Sequence, residues 1–226
     1  MNKQNARPSF GLSALVPAAV LPAILFALSG CQLVVPFMQT PEVKAEFTLT
    51  KSPLLIIIND DLGGRGSPSI RAAMYKQLAK ELDDNKANHQ VIAEKDVREF
   101  LARSGNGRGM DELLLAKSLQ AKQILRIQLE PYANVLGGDI VAEARMTCVV
   151  HVIDVDTGDQ KYPDESKGKK VSYKMSAADI HSTSPGPAMQ EELGKGLAHL
   201  VARLFYTYNL TPQENIKQDA PSMEVL

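Results

Sequence analysis

The stretch Leu54-Leu55-Ile56-Ile57-Ile58-Asn59-Asp60-Asp61-Leu62-Gly63-Gly64-Arg65-Gly66-Ser67-Pro68 decides the fold. Its apolar residues run without polar alternation, and three are β-branched, which is the pattern of a strand covered on both faces. Asn59, Asp60 and Asp61 end the run, and three glycines carry the chain into a turn. Ser67 suits the capping position of a helix and Pro68 its first turn, where a missing N–H costs nothing. Ile70, Met74, Leu78 and Leu82 then recur every four residues, with Ala73 beside them, and make one apolar stripe. Strand, loop and helix in this order predict an α/β fold.

Working outward towards the C-terminus, residues 89–93 read as a short strand, and Val97, Phe100 and Leu101 mark a short helix. A glycine-rich connector with Arg103 and Arg108 follows; its positive charge suits an acidic partner or lipid headgroups as well as a plain helix–helix link. Met110, Leu113, Leu114 and Lys117 begin another helix, with Asp111 and Glu112 placed to complement its dipole. Residues 123–130 alternate Ile124, Arg126 and Gln128 against Leu125, Ile127 and Leu129, as a half-exposed strand does.

Residues 139–154 form the longest strand. Ala142, Ala144, Met146, Cys148, Val150 and Val152 face one way; Glu143, Arg145, Thr147 and His151 face the other. Asp156-Thr157-Gly158-Asp159 is a turn, and residues 171–175 pair back as a hairpin partner. The last helix spans residues 189–208, with Leu193, Leu197, Leu200, Val201, Leu204, Phe205 and Tyr208 on one face and Gly194 and Gly196 weakening its first turns. The expected class is α/β (α+β), a mixed sheet of four to five strands with helices packed on it, over residues 48–210.

Working outward the other way, Lys3 and Arg7 precede an apolar run over residues 10–28, and no acidic residue occurs before Glu42. That is the layout of an export signal. The run ends in Leu28-Ser29-Gly30-Cys31, which resembles the lipobox of bacterial lipoproteins. The resemblance implies peptidase recognition through Leu28, Ser29 and Gly30, and a diacylglyceryl group plus an N-acyl chain at Cys31. Pro17 and Pro22 interrupt the run against a membrane-spanning helix. The expected organisation is a signal peptide at 1–30, a lipidated N-terminus and tether at 31–47, the domain at 48–210 and a polar tail at 211–226. Gln32 after the lipidated position is similar to outer-membrane sorting in enteric bacteria, so that membrane, facing the periplasm, is favoured.

Within 52–208 the order of elements is similar to that of a periplasmic lipoprotein group. That group holds the curli-secretion protein CsgG, the penicillin-binding-protein activator LpoB and the N-terminal domain of TolB. The sharpest points of likeness are Val152-Ile153-Asp154-Val155-Asp156-Thr157-Gly158 ending a long strand, and the lipobox. The likeness implies a non-catalytic binding or assembly role in envelope biogenesis or secretion, with an envelope protein as partner and homo-oligomerisation open. A subunit of a CsgG-type secretion complex is the alternative. Residues 161–170 carry six charged side chains and do not alternate as lipid-facing strands would.

The 226 residues carry 25 Lys and Arg against 26 Asp and Glu, a net charge of −1, which argues against a nucleic-acid partner. Two cysteines make no disulfide framework. Gly64, Arg65, Gly66 and Ser67 sit where a helix N-terminus favours anions, but the spacing matches neither phosphate-binding glycine motif. Their readings are a turn into a capped helix or, as a second alternative, a phosphate or nucleotide contact of an enzyme. Asp60 and Asp61 are one candidate cation pair, read as a solvated strand end. His89, His151, His181 and His199 lack metal-ligand spacing, His199 reads as a core-edge residue, and Cys148 as a small buried hydrophobe. No catalytic residue, metal or cofactor beyond the covalent lipid is expected.

Overall fold

The structure is a computed structural model that describes residues 41–60, 68–103, 111–131, 133–137, 140–176 and 187–210. Strand β1 is Glu42–Val43, β2 is Leu54–Asp60, and helices α1 (Pro68–Asp84), α2 (Glu94–Arg103) and α3 (Glu112–Ser118) follow. Then come β3 (Gln123–Leu129), β4 (Ala133–Gly137), β5 (Ile140–Asp154), β6 (Gln160–Tyr162), β7 (Lys169–Ser176), helix α4 (Pro187–Ala202) and β8 (Tyr208–Asn209). All of these belong to one unit, 42–209. Pro41 and Leu210 belong to a second, terminal unit, joined there by a bond from the Leu210 N–H to the Pro41 carbonyl.

Six strands form the main sheet. β2 lies parallel to β3, and every other pairing in it is antiparallel, so the expected mixed α+β sheet is present. The strand number exceeds the sequence reading because β5 is long enough to carry two strands on each edge. β3 and β4 follow one another along one side, β6 and β7 along the other. β4 lies between β3 and β5 in sequence and continues the antiparallel β3–β5 pairing past Pro131.

The face of the sheet bearing Ile56, Leu125, Ile127, Cys148, Val150 and Val152 is covered by the predicted stripe of α1 and by Leu193, Leu197 and Val201 of α4. On the opposite face Arg126 and Gln128 of β3 are half-buried, as alternation implied, but Ile124 is not. Ile124 is fully buried with Leu55 and Ile153 beneath Leu115 and Ala116 of α3. α3 is set by Asp111, which lies just outside the helix as its cap: its Oδ1 accepts the N–H groups of Leu113 (2.7 Å) and Leu114 (3.2 Å), beyond the dipole role read from sequence.

Three boundaries differ from expectation. Residues 89–93 make a single bridge, at Val91, and no strand. They are held by the buried Asn88, whose Nδ2 donates to the carbonyls of Thr50 (2.8 Å) and Ser52 (2.9 Å) while its Oδ1 accepts from the Gln90 N–H. The last helix ends at Ala202 and not near Tyr208. Its apolar pattern runs on because a tight turn keeps Leu204 and Phe205 in the core, after which Tyr208 enters β8.

Residues 42–47, read as tether, are structured. β1 pairs with β8, and the N–H groups of Glu46 and Phe47 both donate to the Leu204 carbonyl. A two-residue strand leaves no period for sequence reading to detect.

Gly194 and Gly196 are also not a weak helix start, since α4 begins at Pro187. A Cβ at Gly194 would meet the Ile70 backbone oxygen at 3.0 Å, and one at Gly196 the Tyr173 ring at 2.2 Å. The two glycines let α4 approach α1 and β7 closely.

Candidate functional site

The site follows from where β2 stops being paired. Along a parallel strand, successive residues direct their N–H and C=O groups to opposite edges. The Pro53 carbonyl accepts from the Lys122 N–H at the entrance to β3 (2.8 Å), so Leu55, Ile57 and Asn59 bond to β3. Leu54 points the other way, donating to the Gln90 carbonyl and accepting from the Ile92 N–H, both at 2.9 Å. Beyond Leu54 that second ladder stops, because the Ile92 carbonyl also accepts the Tyr75 hydroxyl and α2 turns the chain away at Glu94.

A cleft of about 680 Å³ opens along the unpaired edge. Its floor is Ile56, Ile57 and Ile58; Arg71, Ala72 and Tyr75 of α1 form one wall, and Val97, Arg98 and Leu101 of α2 the other. Asn59 and Glu112 close the end. The Glu112 carboxylate is held at both oxygens, by Asn59 Nδ2 (2.9 Å) and Arg126 Nε (2.7 Å), which pins α3 to the ends of β2 and β3. Burial, with the charges of Glu94 and Asp96 adding to it, pushes the Tyr75 phenol well above its ordinary range, so it stays a hydrogen-bond donor. Glu94 lies 3.7 Å from Arg98. The described lining is apolar with its acids already matched to guanidinium groups, an arrangement suited to holding a ligand.

Cys31 and the recognition residues Leu28, Ser29 and Gly30 lie outside the described residues, as do Gly64, Arg65, Gly66 and Ser67, the 105–109 loop, Asp61 and His181. The described histidines do not converge. His89 faces Asp83, His151 faces Gln160 Oε1 at 2.8 Å, and His199 faces Glu81 Oε1 at 2.7 Å, at the core edge as read. Among the described residues no group of three His, Cys, Asp or Glu side chains is gathered as a metal would require. Cys148 is fully buried, and burial, with Glu130 nearby, pushes its thiol up to about 12, so it remains a protonated, packed side chain.

Two polar clusters escaped sequence reading. Glu81 accepts from Gln77 Nε2 (2.9 Å) and the Tyr206 hydroxyl (2.8 Å), in addition to its contact with His199. Glu46 accepts from the Tyr162 hydroxyl (2.7 Å) and from Lys169 Nζ (2.7 Å). Only the Gln77–Glu81 spacing was visible in sequence; the other partners lie more than a hundred residues away.

No family model matches the chain, and no curated protein matches its sequence. Among solved structures, a PelC dodecamer from Paraburkholderia phytofirmans is 14% identical, over 74% of this chain and 98% of that one, with a TM-score of 0.41. A lipoprotein from Neisseria meningitidis is 13% identical, over 58% of this chain and 86% of that one, with a TM-score of 0.42. The LpoB C-terminal domain from Salmonella enterica is 16% identical, over 64% and 93%, with a TM-score of 0.36.

Proposed function

We propose that the chain is a lipid-anchored, non-catalytic binding module on the periplasmic side of the bacterial envelope, with the outer membrane as its favoured location. One observation carries this reading: Leu28-Ser29-Gly30-Cys31 closes an apolar run that follows Lys3 and Arg7. Only a cysteine supplies the thiolate for thioether formation, and two acyl chains already give stable anchoring.

The described structure supports it in a second way. β1 begins at Glu42, and the intervening residues 32–41 span at most about 35 Å when fully extended. A domain on so short a lead works next to the bilayer. Glu46, just after β1, is tied by Tyr162 and Lys169 to the far edge of the sheet, so the lead joins a braced part of the fold.

The test is the mass of the mature N-terminus together with fractionation. The wild-type protein is expected in the membrane fraction, beginning at Cys31 and heavier by a diacylglyceryl and an acyl group. Cys31→Ser is expected to carry no lipid. A wild-type N-terminus with an unmodified Cys31, or retention of the signal segment, would overturn the reading.

A further inference from the structure

We propose that the outer edge of β2 is a strand-addition site, which takes an extended apolar peptide segment of a partner protein with a carboxylate side chain opposite Arg71. This names the partner chemistry of the binding module above and rests on that reading. Its first support is the backbone. Leu54 uses its outward N–H and C=O on Gln90 and Ile92, whereas the outward groups of Ile56 and Ile58 have no backbone partner among the described residues. Ile56 is only 3% exposed, so its groups are largely desolvated, where an unmet hydrogen bond is costly, while Ile58 is half-buried, towards the open end of the cleft.

Two donor–acceptor pairs repeating at two-residue spacing, about 6.6 Å, are matched by the backbone of another strand. An apolar edge left open is a template for such pairing.

The walls give the side-chain rule. Alternate residues of an added strand would face Ala72 and Tyr75 on the α1 side and Val97 and Leu101 on the α2 side, which selects small apolar or β-branched residues at both sets of positions. Charge gives the orientation. Of the lining charges, Glu94 is matched by Arg98 and Glu112 by Arg126, while Arg71 is exposed and has no ion-pair partner among the described residues. A carboxylate on the incoming strand completes the set.

The probe is an acetylated, amidated peptide of sequence Glu-Val-Thr-Val-Thr-Val, added to the full chain in detergent, with amide hydrogen exchange read residue by residue by NMR. Without peptide, the Ile56 and Ile58 amides are expected to exchange at least about tenfold faster than those of Leu55 and Ile57, which are bonded to β3. With peptide, Ile56 and Ile58 become protected and their neighbours do not change. Ile58→Pro removes an outward N–H and no ladder bond, so it is expected to abolish the protection while the far-UV circular dichroism is kept. Should that variant fail to fold, Ala72→Trp fills the exposed α1 wall without touching the strand and is expected to block the peptide equally. Arg71→Glu is expected to weaken the acidic peptide about tenfold or more and to favour the same peptide with Lys in place of Glu.

Equal exchange of all four amides without peptide overturns the proposal. So does an absence of peptide protection at millimolar concentration, or protection that appears through self-association of the chain alone. None of these outcomes touches the lipid mass at Cys31, so loss of the strand site and loss of the anchor reading are told apart.

Discussion

The two faces of the sheet bury apolar residues to different depths, though both are helix-covered. Over one face, Ile70, Met74, Leu78 and Leu82 of α1 and Leu193, Leu197 and Val201 of α4 meet the strands with 2% exposure or less. Over the other, α2 has no buried residue at all, and α3 contributes Leu115 and Ala116 only. Yet α2 shows a clean apolar side in Val97, Phe100 and Leu101. Amphipathicity sets which way a helix turns and leaves open how deeply it seats; depth depends on what the neighbouring elements fill. Here the space left between α2 and α1 is the cleft along β2. One face is built to hold the fold together, the other to remain partly open.

Truncating one leucine in each cluster tests that division most strongly. Leu78→Ala empties a fully buried position between α1 and the sheet and is expected to cost about 3–5 kcal/mol in urea unfolding. Leu115→Ala, in the shallower cluster, is expected to cost no more than about 2 kcal/mol, because α3 is short and can close over the gap. Equal losses would mean that the two faces share one cooperative core, and the contrast drawn between them would fail.

The close approach of α4 to β7 at Gly196 is the next point of attack. An alanine in an open helix is better than a glycine by about 1 kcal/mol, so propensity alone predicts that Gly196→Ala stabilises. The Tyr173 ring lies 2.2 Å from where that Cβ would stand. Displacing an aromatic ring between α4 and β7 is expected to reverse the sign, for a net loss of about 1–3 kcal/mol by thermal unfolding. A stabilised variant would show that the ring moves aside freely and that α4 is not seated as tightly as the deep face requires.

How much of this was legible beforehand follows the range of the interactions. The β2 strand, the α1 stripe and the alternation of β5 are local patterns, and each appeared where the residues placed it. The turn after β5 was legible too: Asp154 Oδ1 accepts the N–H groups of Asp156 (3.0 Å) and Thr157 (2.9 Å), and Gly158 takes φ +77°. The β1–β8 pair was hidden, because Glu42 and Val43 find Asn209 and Tyr208 from the opposite end of the unit. Burial of Ile124 was hidden for the same reason, since its cover comes from α3 and not from its own strand. The two glycines of α4 were misread because propensity is a local rule, while their role is to admit Ile70 and Tyr173. In the cleft, the apolar floor was visible as a run of isoleucines. That its outer edge lacks a neighbour depended on where residues 90–92 diverge, which no local pattern states.

The smallest effect concerns the polar seam of the deep face. Glu81 of α1 has a side chain only 14% exposed, facing His199 of α4 and Tyr206 beyond it. Burial works to raise the Glu81 carboxyl, but hydrogen bonds from His199, Tyr206 and Gln77 outweigh it and hold the group below its ordinary value. A carboxylate whose folded pKa lies below its unfolded one adds stability that is fully present above the unfolded value, near 4.5. That stability is lost as the pH falls through the folded value. Glu81→Gln keeps the shape and removes the charge, so it is expected to cost about 1–2 kcal/mol near neutral pH. The difference from wild type should shrink steadily below about pH 4.5, as the wild-type carboxylate takes up its proton. Urea midpoints collected from pH 7 to pH 3 read this directly. A gap between the two proteins that stays constant across that range would assign the seam's contribution to packing and not to the ionised carboxylate. Both faces of the sheet would then be held by apolar contact alone, and the difference between them would reduce to depth.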